Sequence, residues 1–254
     1  MKTSANDAAL RAADIKRIQM KNVPLVAVLF AVAIAALVSQ RATAEEGVAV
    51  AIVYDTSGSM KDPVRDQTGK QSPKYVIANR ALIAIAKQIQ TFATNSAGGP
   101  RKIEAGVFVF DKNSAREAVK FGAFDQSAIE NFANTFSNPT GNTPLGNALT
   151  VASRAVFKSP LNRKHILVIT DGMNTAGPKP EEVLPQLKEQ AVRKGTALST
   201  HFVAFDVDAK VFAPVKKLDA TVVAAADEKQ LDTQLQFILQ RKILLEEEET
   251  PKKQ

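Results

Sequence analysis

An α/β fold, with a mainly parallel sheet and helices on both faces, is predicted by three observations. Strand-like apolar runs alternate with helical patterns along the chain. The run Ile166-Leu-Val-Ile169 is apolar without alternation, as in a strand buried on both faces. From Glu45 onward about 210 residues remain, enough for one hydrophobic core and too few for two typical domains.

The elements follow in order. Val48 to Tyr54 reads as a buried strand, and residues 61 to 73 are polar with Pro63, Gly69 and Pro73, which predicts a loop. Tyr75 to Phe92 is a helix with Val76, Ile77, Leu82, Ile85, Ile89 and Phe92 on its buried side. Ile103 to Phe110 is a strand, Val119 to Phe124 a short edge strand, and Ser127 to Phe136 a short helix. Pro144 to Phe157 is a helix with Thr143 at its N-cap and proline at its first position. His165 to Thr170 is the central strand, Pro180 to Val192 a helix, Ala197 to Phe205 and Ala220 to Ala224 strands, and Leu231 to Ile238 the closing helix. The stretch from Leu244, with four glutamates and no apolar partners, is predicted to be a solvated tail.

Composition excludes several chemistries. The chain has no cysteine, which removes disulfide frameworks, zinc thiolate sites and cysteine nucleophiles. The formal charge is +7, but residues 1–44 carry +4 of it, and no cluster of Lys and Arg is interleaved with aromatics. Nucleic acid is therefore not an expected partner.

Val23 to Ser39 is uncharged, a helix of roughly 25 Å at the short end of what spans a bilayer. Lys2, Arg11, Lys16, Arg17 and Lys21 precede it, which places residues 1–22 in the cytoplasm and the rest of the chain outside. Ala42-Thr43-Ala44 offers a signal-peptidase site, so cleavage near Ala44, giving a secreted or periplasmic product, competes with a retained transmembrane anchor. The expected organisation is a basic segment at 1–22, a membrane or signal segment at 23–39, a linker at 40–46, the folded domain at 47–240 and a charged tail at 241–254.

The stretch Asp55-Thr-Ser-Gly-Ser-Met60 leaves the first strand in a tight turn. Its carboxylate and its two hydroxyls, Ser57 and Ser59, can converge on one small hard cation, because every donor is an oxygen. Thr143 in Gly141-Asn-Thr-Pro-Leu-Gly and Asp171 in Ile169-Thr-Asp-Gly172 supply two further oxygens. An ion held by three hydroxyls and two carboxylates stays electrophilic and accepts a partner's Asp or Glu at an open position.

These three segments, in this order, resemble the loops of a von Willebrand factor type A domain with its metal-ion-dependent adhesion site, Asp-x-Ser-x-Ser followed by a distant Thr and a distant Asp. The resemblance covers roughly residues 47 to 240. It implies a doubly wound three-layer sandwich with one antiparallel edge strand. It also implies Mg2+, or another divalent cation such as Mn2+ or Ca2+, above the carboxyl ends of the strands. Asp55, Ser57, Ser59, Thr143 and Asp171 would hold it, directly or through water.

Other polar residues have plainer readings. His165 and His201 are structural, since neither has a second histidine at ligand spacing. Asp206 and Asp208 follow a strand on the expected metal face, where a role on the rim competes with the more economical reading of loop carboxylates facing solvent, while Met60 packs under the turn. No nucleophile elbow, phosphate loop or zinc-protease pair occurs, and no general base stands by the expected metal. The expectation is a non-catalytic, metal-dependent protein-binding domain for adhesion or complex assembly, tethered to a membrane outside the cytoplasm. The alternatives are a metal-stabilised structural component and a metal-dependent hydrolase.

Overall fold

The computed structural model describes residues 44–95 and 101–245. β1 (Glu45–Tyr54) leads through a 3-10 turn (Gly58–Lys61) to a hairpin of β2 (Pro63–Arg65) and β3 (Gln71–Pro73), then to α1 (Lys74–Thr94). β4 (Ile103–Asp111), β5 (Ser114–Ala123), α2 (Gln126–Thr135), α3 (Leu145–Val156) and β6 (Leu161–Thr170) follow. The chain continues through α4 (Pro180–Arg193), β7 (Ser199–Phe205), α5 (Ala213–Lys216), β8 (Thr221–Ala225) and α6 (Glu228–Phe237) to a π-helical turn (Ile238–Leu244).

Six strands form one sheet in the order β5-β4-β1-β6-β7-β8. All neighbours are parallel except β5, which runs antiparallel to β4 at the edge. The strand order runs outward in both directions from β1, so the carboxyl ends of β1, β6 and β7 open into one crevice, where α/β sheets place their sites.

The period-two alternation of strands divides the core into two layers. Val50, Ile52 and Tyr54 of β1, with Leu167 and Ile169 of β6, face the apolar sides of α1, α2 and α6. Ala51 and Val53, with Ile166 and Val168, face α3 and α4 through Leu145, Leu149, Leu184 and Leu187. This is a doubly wound three-layer sandwich.

Several elements differ from the sequence reading for local reasons. Residues 61–73 hold a hairpin, because Asp66 gathers the Thr68 and Lys70 amides and the Thr68 and Ser72 hydroxyls, and Gly69 supplies a positive φ of 82°. β5 begins five residues before the predicted edge strand; of its ten residues only Val119 is buried, so an exposed edge left no apolar period to read. The last helix starts at Glu228, where Asp227 caps Gln230 N at 2.8 Å. The following π-helical turn buries Ile243 and Leu244, which the sequence reading placed in and beside the tail.

The membrane expectation is corrected. Residues 1–22, 23–39 and those beyond Leu245 lie outside the described residues, and among the described residues no helix is long and apolar enough to cross a membrane. The longest, α1 with 21 residues, carries Lys74, Arg80 and Lys87 and buries one stripe against the sheet. Single-pass placement, and the membrane as a partner, rest on residues 23–39 outside that description and are not carried into the functional reading.

Candidate functional site

Three loops meet at the carboxyl ends of β1 and β6. Asp55 N donates to Ile169 O at 3.0 Å, continuing the sheet one residue past β1. Gly58 N reaches Gly141 O at 3.1 Å and Thr140 N reaches Thr56 O at 2.7 Å, which clips the Asp55 turn to the loop that carries Thr143. Thr143 is fixed in turn by Thr175: its N–H donates to the Thr175 hydroxyl at 2.8 Å, and its carbonyl accepts from Thr175 N at 3.0 Å. Met60 is fully buried beneath the turn, as expected.

The predicted N-cap at Thr143 is corrected. α3 starts at Leu145 with Pro144 at the cap position, and the first-turn amide of Gly146 donates to Asn174 Oδ1 at 3.4 Å. The Thr143 hydroxyl instead faces Gly172, where a Cβ would stand 3.7 Å from it.

The acids of the cluster are satisfied from within. Asp55 Oδ1 accepts from Ser57 N at 2.7 Å, and Asp55 Oδ2 from the Thr170 hydroxyl at 2.6 Å. Asp171 Oδ1 accepts from the Ser59 hydroxyl at 2.8 Å, and the Ser57 and Ser59 hydroxyls stand 3.2 Å apart. Asp171 Oδ2 takes an ion pair from Lys74 Nζ at 3.1 Å, and the same ammonium pairs with Asp206 Oδ2 at 3.1 Å. Burial pushes the Asp55 carboxyl up to about 6, aided by the Asp171 charge, while hydrogen bonds from Ser57 and Thr170 pull it back. Burial pulls the Lys74 ammonium down, but Asp171 and Asp206 outweigh it, and its pKa is raised.

Lys74 was missed by the sequence reading, which began the helix at Tyr75. It stands three, four and seven residues before Ile77, Ala78 and Ala81, on the buried stripe of α1, where only 5% of it is exposed. A lysine on an apolar stripe signals a buried charge partner. Asp206, read from sequence more economically as a solvent-facing loop carboxylate than as a rim residue, pairs with that lysine, with its backbone in the left-handed region at φ 53°. Asp208 instead caps a 3-10 turn by accepting from Lys210 N at 2.9 Å.

The expected metal site is therefore corrected. Asp55, Ser57, Ser59, Thr143 and Asp171 do come together, but each oxygen of both carboxylates already has a hydrogen-bond donor or the Lys74 ammonium on it. Among the described residues no group of three or more His, Cys, Asp or Glu is assembled to hold a metal ion. The expectation of Mg2+, Mn2+ or Ca2+, and of a partner carboxylate completing its shell, is therefore not carried further.

The rim is polar with one apolar point. Asn142 Nδ2 donates to Asn113 Oδ1 at 3.3 Å and Asn147 Nδ2 to Asn113 O at 2.5 Å, while Ser59 and Asp206 are exposed. Met173, two residues past Asp171, is 61% exposed.

No curated protein matches the chain. Among solved structures, it is similar to the PilB minor pilin from Streptococcus sanguinis, with 16% identity and a TM-score of 0.56 over 76% of this chain and 61% of that one. The chain thus matches about three fifths of that pilin's length. Proximal thread matrix protein 1 from the mussel byssus matches at 15% identity and a TM-score of 0.54, over 76% of this chain and 48% of that one. The vWF domain of the type V pili tip protein Mfa5 from Porphyromonas gingivalis matches at 12% identity and a TM-score of 0.53, over 77% of this chain and 95% of that one. At these identities the likeness shows the fold. The profile of the von Willebrand factor type A domain matches residues 49–196, more than half of the chain, and the chain belongs to that family.

Proposed function

We propose that the chain is a protein-binding module for assembly, with its contact face on the loops around Asp55, Ser57, Ser59, Thr143 and Asp171. In this reading it binds a partner and does not catalyse. The solved relatives carry the names of a minor pilin, a thread matrix protein and a pilus tip protein, none of which denotes a catalyst. The observation that carries the reading is the convergence of three chain-distant loops on one face, with an exposed Met173 beside a polar rim. Such a face has the anatomy of an interface, an apolar anchor surrounded by groups that hydrogen-bond.

The test is site-specific photocrosslinking in cells of the source organism. A photoreactive residue at Met173 should capture a discrete protein, and Ser59→Ala with Asp206→Ala should abolish the adduct. A probe at Val192, exposed on α4, should not give that adduct. Equal adducts from both positions, or an adduct indifferent to the rim variants, would place the contact elsewhere.

A further inference from the structure

We propose that the Lys74 ammonium is the resident cation of this loop cluster, a charge carried by the chain that takes the place of a dissolved divalent ion. Lys74 starts α1, and its backbone N–H is held by Asp62 O at 3.0 Å, so the ammonium is delivered from a fixed point. It joins acids that follow two neighbouring strands, Asp171 after β6 and Asp206 after β7, at 3.1 Å each. Asp206 keeps its carboxylate on that ammonium from a left-handed backbone, φ 53°, a conformation that a side chain occupies at a cost and that clusters at functional sites.

The ammonium pairs with two of the three acids here, Asp171 and Asp206. Asp55 is satisfied by neutral donors, Ser57 N and the Thr170 hydroxyl, and contributes no oxygen to the ammonium. A divalent ion binding Asp171 directly would share that carboxylate with Lys74 and sit close to the ammonium, where like charges repel. A tethered ammonium also needs no binding from solution and cannot be chelated. Lys74→Met, nearly the same length without the charge, leaves Asp171 and Asp206 without a counter-charge, and an all-oxygen set of that kind suits a hard cation.

The experiment uses the full-length chain, with magnesium chloride as the probe. For the wild type we expect no calorimetric binding of Mg2+ and the same thermal midpoint in Mg2+ as in EDTA. Lys74→Met should melt lower in EDTA and regain roughly 5 °C or more on adding Mg2+. Lys74→Arg, which keeps the charge, should stay indifferent to both. One Mg2+ bound by the wild type, with a midpoint lowered by EDTA, overturns the proposal; so does a folded Lys74→Met that ignores Mg2+. Where Lys74→Met does not fold, the wild-type calorimetry still decides: uptake of one ion rejects the proposal, and none supports it.

Discussion

β6 and β7 bury polar groups in two regions, and the regions solve the same problem in opposite ways. Past their carboxyl ends, Asp171 and Asp206 share the Lys74 ammonium. Within the strands, His165 and His201 stack at 5.6 Å with Nδ1 of one 3.3 Å from Nε2 of the other. The sequence reading treated these histidines separately; the parallel register of β6 and β7 makes them neighbours. Burial pushes the His201 imidazole down to about 4, helped by the Lys242 charge. The same burial, with His201 and Arg163 nearby, pushes His165 well below its ordinary value. One region pairs its charged groups and the other gives charge up. A carboxylate beside a lysine side chain can be compensated, whereas two imidazoles near Arg163 and Lys242 are stable only when neutral.

Removing the pairing should have the largest effect. Lys74→Met leaves Asp171 facing Asp206 without a counter-charge, and the loss of one partner from a buried ion pair costs about 3–5 kcal/mol. Urea unfolding in EDTA measures it; a loss under 1 kcal/mol would mean that solvent already screens the pair.

Acid distinguishes the two regions by sign. His201 binds a proton more readily when unfolded, at about 6.5, than when folded, at about 4, so its stability is full above about pH 6.5 and is lost as the pH falls. The loss is on the order of 3 kcal/mol by pH 4. Asp55 does the reverse: its folded carboxyl, at about 6, holds a proton that the unfolded one, at about 4, releases, so acidification over that interval adds stability. His165 acts with His201, and the wild type should weaken on acidification. Asp55→Asn should steepen that decline, and His201→Gln should flatten it. Parallel profiles of urea midpoint against pH for the three proteins would dissolve the contrast.

A smaller change sharpens the carboxylate side alone. Thr170→Val removes the hydroxyl from Asp55 Oδ2, a hydrogen bond to an acid that contributes about 1.5–3 kcal/mol. It should also raise the Asp55 carboxyl further, readable by NMR titration. Asp125→Ala sets the scale outside both regions: it removes the N-cap of α2, where Ala128 N donates to Asp125 at 2.9 Å, and should cost about 1 kcal/mol. A cost as large as that of Lys74→Met would show that the ion pair has no special weight.

The alternation of apolar runs was enough to reveal the sandwich, because Ile166 to Ile169 and Val48 to Tyr54 are apolar on both faces. The loop residues Asp55, Ser57, Ser59, Thr143 and Asp171 were also legible, since their spacing in the chain follows the fold. What occupies the space among them was not. That depends on Lys74 reaching across from α1 and on Asp206 turning back from β7, two side chains that no local pattern ties together. The Thr143 cap was misread for a related reason. Thr143-Pro144 has the composition of a helix start, but Thr175, 32 residues away, holds the Thr143 backbone outside the helix.

Position 206 has to meet two demands at once. Its backbone handedness favours glycine, asparagine or aspartate, the residues that enter the left-handed region with least strain. Its place beside Lys74 demands an anion. Glycine relieves the backbone and abandons the ammonium; glutamate keeps the charge and resists the turn; asparagine keeps the shape without the charge. Aspartate alone meets both conditions, so a saturation library at this codon, sorted for folded protein, should return almost a single amino acid, whereas the codon for Lys210 nearby should accept nearly any.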